Sequence, residues 1–301
     1  MRLRKLFAIL MVTAMTAGLA VGCGSSSSET SEEGDAAWDS SMDITIVSRE
    51  DGSGTRGAFI ELFGIEVKDE SGEKMDMTTE EAQITNSTSV MMTTVAGDGY
   101  AIGYVSMGSL DDSVKAVKID GAEATAENVK SGDYKVSRPF NIATKEDMDN
   151  EAAKDFINFI LSADGQAIVS ENGYIALDAE GTFESTGAEG KVVVGGSSSV
   201  SPVMEKLIEA YKEINANAEI ELQTTDSTTG MTSAIDGSYD IGMSSRELKE
   251  EEIAGGLMGQ VIATDGIAVI VNLNNPTENM TVDQVNAIYV GEAYTWDEVV
   301  E

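Results

Sequence analysis

Ile44-Thr45-Ile46-Val47-Ser48-Arg49-Glu50-Asp51-Gly52-Ser53-Gly54-Thr55-Arg56 runs from a β-branched stretch through a turn of hydroxyls and glycines into the helical pattern Gly57–Phe63. In such a junction small residues let backbone amides approach a ligand and hydroxyls donate. The next helix turns its free N–H groups and positive dipole end toward the same point. Two further junctions repeat the pattern. Val192-Val193-Val194 leads into Gly195-Gly196-Ser197-Ser198-Ser199-Val200-Ser201-Pro202, and Ile220-Glu221-Leu222 leads into Gln223-Thr224-Thr225-Asp226-Ser227-Thr228-Thr229-Gly230. A single Ser or Gly at a helix start reads as an ordinary cap. Three such junctions in one chain point instead to a tetrahedral oxyanion. None is a nucleotide P-loop, because no Gly-Lys-Ser/Thr follows the glycines. Arg49 and Arg56 are the only cations in these loops, and Arg49 stands at the strand end with a fork that can grip two oxygens of one anion. Asp51 is placed to orient it; the alternative for Arg49 is a surface ion pair with Glu50 or Asp51.

Around these junctions, short apolar runs alternate with helical patterns, which predicts α/β layers with largely parallel sheets. Candidate strands are 44–48, 101–106, 115–119, 191–195, 219–225, 240–243, 261–264 and 266–273. Val203, Leu207, Ile208, Tyr211 and Ile214 fall on one helical face, as do Phe156, Phe159 and Ile160, and both stripes read as core. The polar stretch 178–190, with Gly181, Gly187 and Gly190, reads as a linker. A length of 301 residues predicts two domains, each able to bury its own core.

Composition excludes several function classes. The chain has no histidine, so neither Ser-His-Asp nor Cys-His catalysis nor His-ligated zinc is available. With 53 acidic against 19 basic residues and a net charge of −34, no basic face offers counterion release to a nucleic acid. The acidic surface does not forbid an anion site. Charge-assisted hydrogen bonds contribute about 1.5–3 kcal/mol each, and carboxylates beyond about 8 Å are screened at physiological salt.

Arg2, Arg4 and Lys5 precede an apolar stretch, Leu6 to Val21, that serines soon follow; residues 1–22 read as a signal peptide. The stretch closes in Leu19-Ala20-Val21-Gly22-Cys23, similar to a bacterial lipobox with Ala20 where leucine is usual. The lone cysteine, Cys23, is thereby expected to carry lipid, with residues 23–41 as a flexible leash outside the cell membrane.

Taken together, these loops resemble the phosphate-binding proteins of bacterial phosphate ABC importers. The resemblance also rests on Asp240-Ile241-Gly242-Met243-Ser244-Ser245-Arg246, Asp265-Gly266-Ile267-Ala268-Val269, Ala101-Ile102-Gly103-Tyr104-Val105 and Gly165-Gln166 through Gly173-Tyr174-Ile175. It implies a two-lobed periplasmic-binding-protein fold (type II-like) closing on inorganic phosphate, with no catalysis, cofactor or metal. The implied partners are a membrane permease with a cytoplasmic ATPase, and the implied state is a monomer. By resemblance Arg49, Ser53, Gly54 and Thr55 approach the anion from one lobe, and Ser198, Ser199, Ser227 and Ser245 from the other. Ser198 and Ser227 are expected to donate hydroxyls, and Ser199 and Gly54 backbone N–H groups. Better-known members carry aspartate where Ser245 stands, accepting the proton of hydrogen phosphate. Serine lacks that charge, so discrimination against sulfate or molybdate should weaken unless Asp51 or Asp226 substitutes. Other readings are a receptor for another tetrahedral oxyanion such as sulfate or molybdate, a phosphate sensor or adhesin, and a phosphate-releasing hydrolase with Ser53 or Ser198 as nucleophile, for which the sequence offers no base or metal cluster near these loops.

The segment order differs from the family's. Members usually begin with the equivalent of 191–199, reach the Trp296 region, continue into the Arg49 loop and finish near Tyr174. Here the Arg49 loop comes first and the usual beginning follows the 178–190 linker, which reads as a circular permutation; a truncated tandem duplication is the rival. With a hinge near Ser137-Arg138-Pro139 and Ala263-Thr264-Asp265, one lobe would be 138–263 and the other 42–137 plus 264–301.

Overall fold

The computed structural model describes residues 38–299. The signal segment, Cys23, most of the leash and Glu301 lie outside the described residues. The last leash residues belong to the fold: the Trp38 ring stacks on Tyr100 and meets Trp296 edge-on, both at 5.9 Å between centroids.

Strand β1 (Thr45–Arg49) feeds helix α1 (Gly54–Leu62), whose N-cap Ser53 accepts from the Arg56 N–H. A small hairpin, β2 (Glu66–Lys68) and β3 (Lys74–Asp76), precedes β4 (Gln83–Thr85) and α2 (Thr88–Gly97), capped by Ser87. The fully buried β5 (Ala101–Ser106) is followed by β6 (Lys115–Ala116), β7 (Lys118–Ile119) and α3 (Ala126–Ser131). Then come β8 (Ser137–Lys145), α4 (Glu151–Leu161) and α5 (Ala163–Glu171). The remainder supplies β9 (Gly190–Ser197), α6 (Ser201–Ile214), β10 (Ala218–Thr225), α7 (Ser227–Asp236) and β11 (Ile241–Ser244). It closes with α8 (Glu250–Ala254), the long β12 (Leu257–Val271), β13 (Asn279–Met280) and α9 (Val282–Tyr289). No helix among the described residues is long and apolar enough to cross a membrane.

The main sheet runs β10-β9-β11-β8-β12-β5-β1-β4, with β6 beside β12. It is mixed, not largely parallel as the alternating pattern predicts. β9 pairs in parallel with β10 and β11, and β1 with β4 and β5, whereas β8 and β12 run antiparallel to their neighbours. The two runs read as separate strands, 261–264 and 266–273, fall on one strand, β12, which ends at Val271, and β8 is a strand the sequence reading missed. Its Pro139 hides the pattern, yet the proline is tolerated because β11 pairs only with residues 141–143 of β8, leaving position 139 beyond that ladder.

Two large hydrophobic cores result, with a small third cluster of Ala143, Met231, Ala234 and Leu257. One gathers Phe59, Tyr104, Ile270, Tyr289 and Trp296, with all its buried members from 44–136 and 267–299; the other gathers Phe156, Val194, Leu207 and Ile241, all from 140–263. β8 and β12 are the strands that pass between them, and at the passage Arg138 stands opposite Asp265. This buried pair is bonded at 3.1 Å, and Ser106 donates to the other Asp265 oxygen at 2.8 Å. Burial nevertheless pushes the Asp265 carboxyl up to about 6, outweighing Arg138 and Ser106.

The ends of the described chain meet. Asp43 bridges Thr295, the Ile44 N–H donates to the Tyr294 carbonyl at 2.8 Å, and the Asp297 N–H to that of Ser40 at 2.8 Å. Segment 178–190 is strapped down along α4, α5 and α6. Asp155 accepts from Ser185 Oγ (2.6 Å), Thr186 N and Oγ1 (2.9 Å each) and the Tyr211 hydroxyl (2.7 Å), while Phe183 packs on Phe159 and Tyr211. Burial pushes the Asp155 carboxyl up, but donors from Ser185, Thr186 and Tyr211 together hold it below its ordinary 3.8. Its contribution is therefore present above that value and is lost as pH falls through the depressed one. Asp155→Asn should cost about 1–3 kcal/mol at neutral pH. Thermal denaturation should show the gap to wild type closing in acid; a gap constant from pH 7 to pH 3 would exclude the carboxylate charge as its source.

Candidate functional site

Arg49 ends β1, and its side chain is 2% exposed. Tyr104, stacked on Phe59 at 3.8 Å, anchors this strand end: its hydroxyl bonds Ser48 Oγ at 2.9 Å and accepts the Arg49 N–H at 3.0 Å. Glu50 takes the guanidinium with both oxygens, from Nε and Nη2 at 2.8 Å each. The expected partner, Asp51, does not orient Arg49. Asp51 is 96% exposed and pairs with Arg56 at 3.0 Å. In a tight turn adjacent residues point apart, so the residue that follows Arg49 reaches its fork and the one after it faces solvent.

Beyond Glu50, Arg49 donates from Nη2 to Ser198 Oγ at 3.1 Å and from Nη1 to Thr88 Oγ1 at 3.4 Å. The Thr55 and Ser199 hydroxyls meet at 2.8 Å. The Thr88 N–H donates to Ser198 Oγ at 3.2 Å, and the Thr88 hydroxyl lies 3.2 Å from both Ser198 Oγ and Ser199 Oγ. Ser197 Oγ donates to Ser245 Oγ at 2.9 Å, and the Ser245 N–H to Ser227 Oγ at 3.1 Å. Gly54 completes the ring: a Cβ there would stand 2.5 Å from Ser227 Oγ and 2.8 Å from Ser245 Oγ. Ser53, Thr55, Thr88, Ser198, Ser199, Ser227 and Ser245 are all buried.

Arg49, Ser53, Gly54 and Thr55 are thus brought together with Ser198, Ser199, Ser227 and Ser245. The first four come from elements packed on one core; Ser198, Ser199 and Ser245 adjoin elements packed on the other, and Ser227 opens α7, whose Met231 and Ala234 belong to a small third cluster. Asp226 stands at the rim as the N-cap of α7, accepting from the Thr229 N–H at 2.8 Å. Its helix seats closely because Gly230 lies against Gly196 and Met243, and Gly196 itself has φ +137. Cys23 lies outside the described residues.

Thr88 is the member that sequence reasoning missed. It stands at a fourth junction of the same kind, Gln83-Ile84-Thr85-Asn86-Ser87-Thr88, where a short strand runs through hydroxyls into a helix. The strand signal there is weak because β4 has three residues, one of them buried.

The electrostatics follow from the geometry. Glu50 balances Arg49, and the remaining groups are hydroxyls, amides and the N-termini of α1, α2 and α7, which favour negative charge without titrating near neutrality. Among the described residues no group of three His, Cys, Asp or Glu side chains is placed to hold a metal ion.

Comparison with known proteins places this chain in a family. The PBP superfamily domain profile matches residues 33–164 and 181–300. The chain is 53% identical over 300 residues to the phosphate-binding protein PstS 2 of Streptococcus agalactiae, covering 99% of each. It is 32% identical to the phosphate-binding protein PstS of Bacillus subtilis, but over 149 residues only, 48% of this chain and 46% of that one. A crystal structure of a phosphate ABC transporter's phosphate-binding protein from Streptococcus pneumoniae superposes with a TM-score of 0.67 at 43% identity, covering 86% of this chain and all of that one. The chain belongs to the PBP superfamily, in the branch that the PstS phosphate-binding proteins occupy.

Proposed function

We propose that this protein is an extracytoplasmic receptor that binds inorganic phosphate between its lobes and passes it to an ABC importer, acting by binding and release without turnover. The carrying observation is the convergence of Arg49 and the Thr55, Thr88, Ser198, Ser199, Ser227 and Ser245 hydroxyls, drawn from both sides of the β8–β12 passage. A tetrahedral anion there would meet the edge of the Arg49 guanidinium that Glu50 leaves free, several hydroxyls and the amides of Gly54 and Ser199. Several such bonds exceed the ~8 kcal/mol of micromolar affinity after the costs of association. Lobes 42–137 plus 264–301 and 138–263 would close about β8 and β12. Cys23, in its lipobox-like setting, would tether a monomer to the outer face of the membrane.

We read the segment order as a circular permutation. Three observations support it: residues 40–44 pair with 294–297, segment 178–190 lies along one core, and the match to the Bacillus subtilis protein stops near half of each chain.

Calorimetry on phosphate-stripped protein should give one phosphate per chain, and Arg49→Gln should weaken binding about a hundredfold, the equivalent of one or two charged hydrogen bonds. Heat from sulfate or molybdate but none from phosphate would overturn the assignment. Ser245→Asp should sharpen discrimination of phosphate against sulfate by about tenfold in competition titrations. A gene reordered as 190–301 followed by 42–180 should yield a monomer with wild-type phosphate affinity. A reordered chain that fails to fold, or a dimeric wild type, would refute the permutation.

A further inference from the structure

Gly52 has no part in the anion contacts, and neither Gly52 nor Gly54 has the left-handed backbone that by itself demands glycine. What excludes a side chain at Gly52 is the opposite lobe. A Cβ there would collide with the Asp226 carboxylate, with Cγ 2.7 Å away. That carboxylate is not a free end, since it holds the Thr229 N–H at 2.8 Å and the Thr229 hydroxyl at 2.5 Å as the cap of α7. Alongside, the Thr228 N–H donates to the Gly52 carbonyl at 3.1 Å, a backbone bond between the two lobes.

Arg246 completes this contact. Glu252, itself buried, holds its guanidinium with both oxygens at 2.7 and 2.9 Å, and Thr228 Oγ1 accepts from it at 3.2 Å. The fork is therefore satisfied within its own lobe. The stem is what crosses: Cγ lies 3.1 Å from where a Cβ on Gly54 would stand, and Cδ 3.8 Å from where one on Gly57 would stand.

We propose that Gly52 and Arg246 are positioning residues for closure: the bare backbone of Gly52 docks on the α7 cap, and the braced Arg246 stem covers the first turn of α1. Neither touches the anion, and both set how long it stays. The inference rests on the reading that phosphate binds between the lobes. It separates Gly52 from Gly57, which shares the same surface but where an added Cβ makes only ordinary contact.

Stopped-flow phosphate release and small-angle scattering on the full chain test this. Gly52→Ala should release phosphate about tenfold faster, with little change in association rate, and should fail to contract when phosphate is added. Its melting temperature without phosphate should match wild type, because the collision exists only between closed lobes. Gly57→Ala should release phosphate at the wild-type rate. Placing Gly52→Ala in an Asp226→Gly background, where glycine still serves as a cap, should produce no further acceleration. Arg246→Ala should also speed release, and Arg246→Lys, which keeps the stem, should recover part of the loss. A Gly52→Ala protein that contracts normally and releases phosphate at the wild-type rate would overturn the proposal while leaving phosphate binding intact. A wild type that binds no phosphate would overturn the reading beneath it, and the proposal with it.

Discussion

Burial of the Arg49 guanidinium is the constraint from which the site follows. A cation with 2% exposure must be neutralised and its N–H groups satisfied, or it costs several kcal/mol. Glu50 supplies the charge and fixes the plane of the fork, while Ser198 and Thr88 take the remaining directions. Tyr104 fixes the strand end through the Arg49 backbone N–H, which sets the point from which the side chain projects. The result is a preorganised set of hydrogen-bond donors around a neutralised ion pair in a strongly acidic protein. Amides and hydroxyls surround it at close range, and the distant carboxylates are screened.

The second requirement is that groups from two cores reach this point together. A doubly wound parallel sheet does not return the chain between lobes, and the two antiparallel strands do. β8 and β12 carry the backbone across, paired from Leu257–Lys145 to Gly266–Ser137 with one register shift between Val261 and Ala263, and with Arg138 against Asp265 at the passage. Three of the buried polar atoms that lack a partner, Ser109 Oγ, Arg138 Nη1 and Tyr174 OH, belong to residues near this passage. An ion pair there is poor evidence for stability, since burial costs nearly as much as attraction returns. Its physical effect is to tie one particular register of two strands whose flanks otherwise belong to different cores.

Much of the site was legible because the chemistry is local. A strand, a run of hydroxyls and a helix start are adjacent in sequence, so the junctions stand out without any knowledge of contacts, while the family resemblance singled out Ser53, Gly54, Thr55, Ser198, Ser199 and Ser227 within them. Thr88 was not, because a three-residue strand gives little periodic signal. The partner of Arg49 was misread for a different reason. Spacing alone does not distinguish Glu50 from Asp51, and which of the two reaches the fork depends on the turn and on Arg56 claiming the other. β8 was hidden by a proline that only its position beyond the β11 ladder permits.

The sequence by itself determined the α/β class, the hydroxyl-rich strand-to-helix junctions and the absence of histidine chemistry, since each is a property of neighbouring residues or of composition. Tertiary structure decided the rest. Which core each junction belongs to, that Ser199 meets Thr55, that Gly54 faces Ser227 and Ser245, and why Gly52 carries no side chain all depend on groups far apart in the chain. Those relations are set by how two cores pack around β8 and β12, and packing is a collective property that no local pattern encodes.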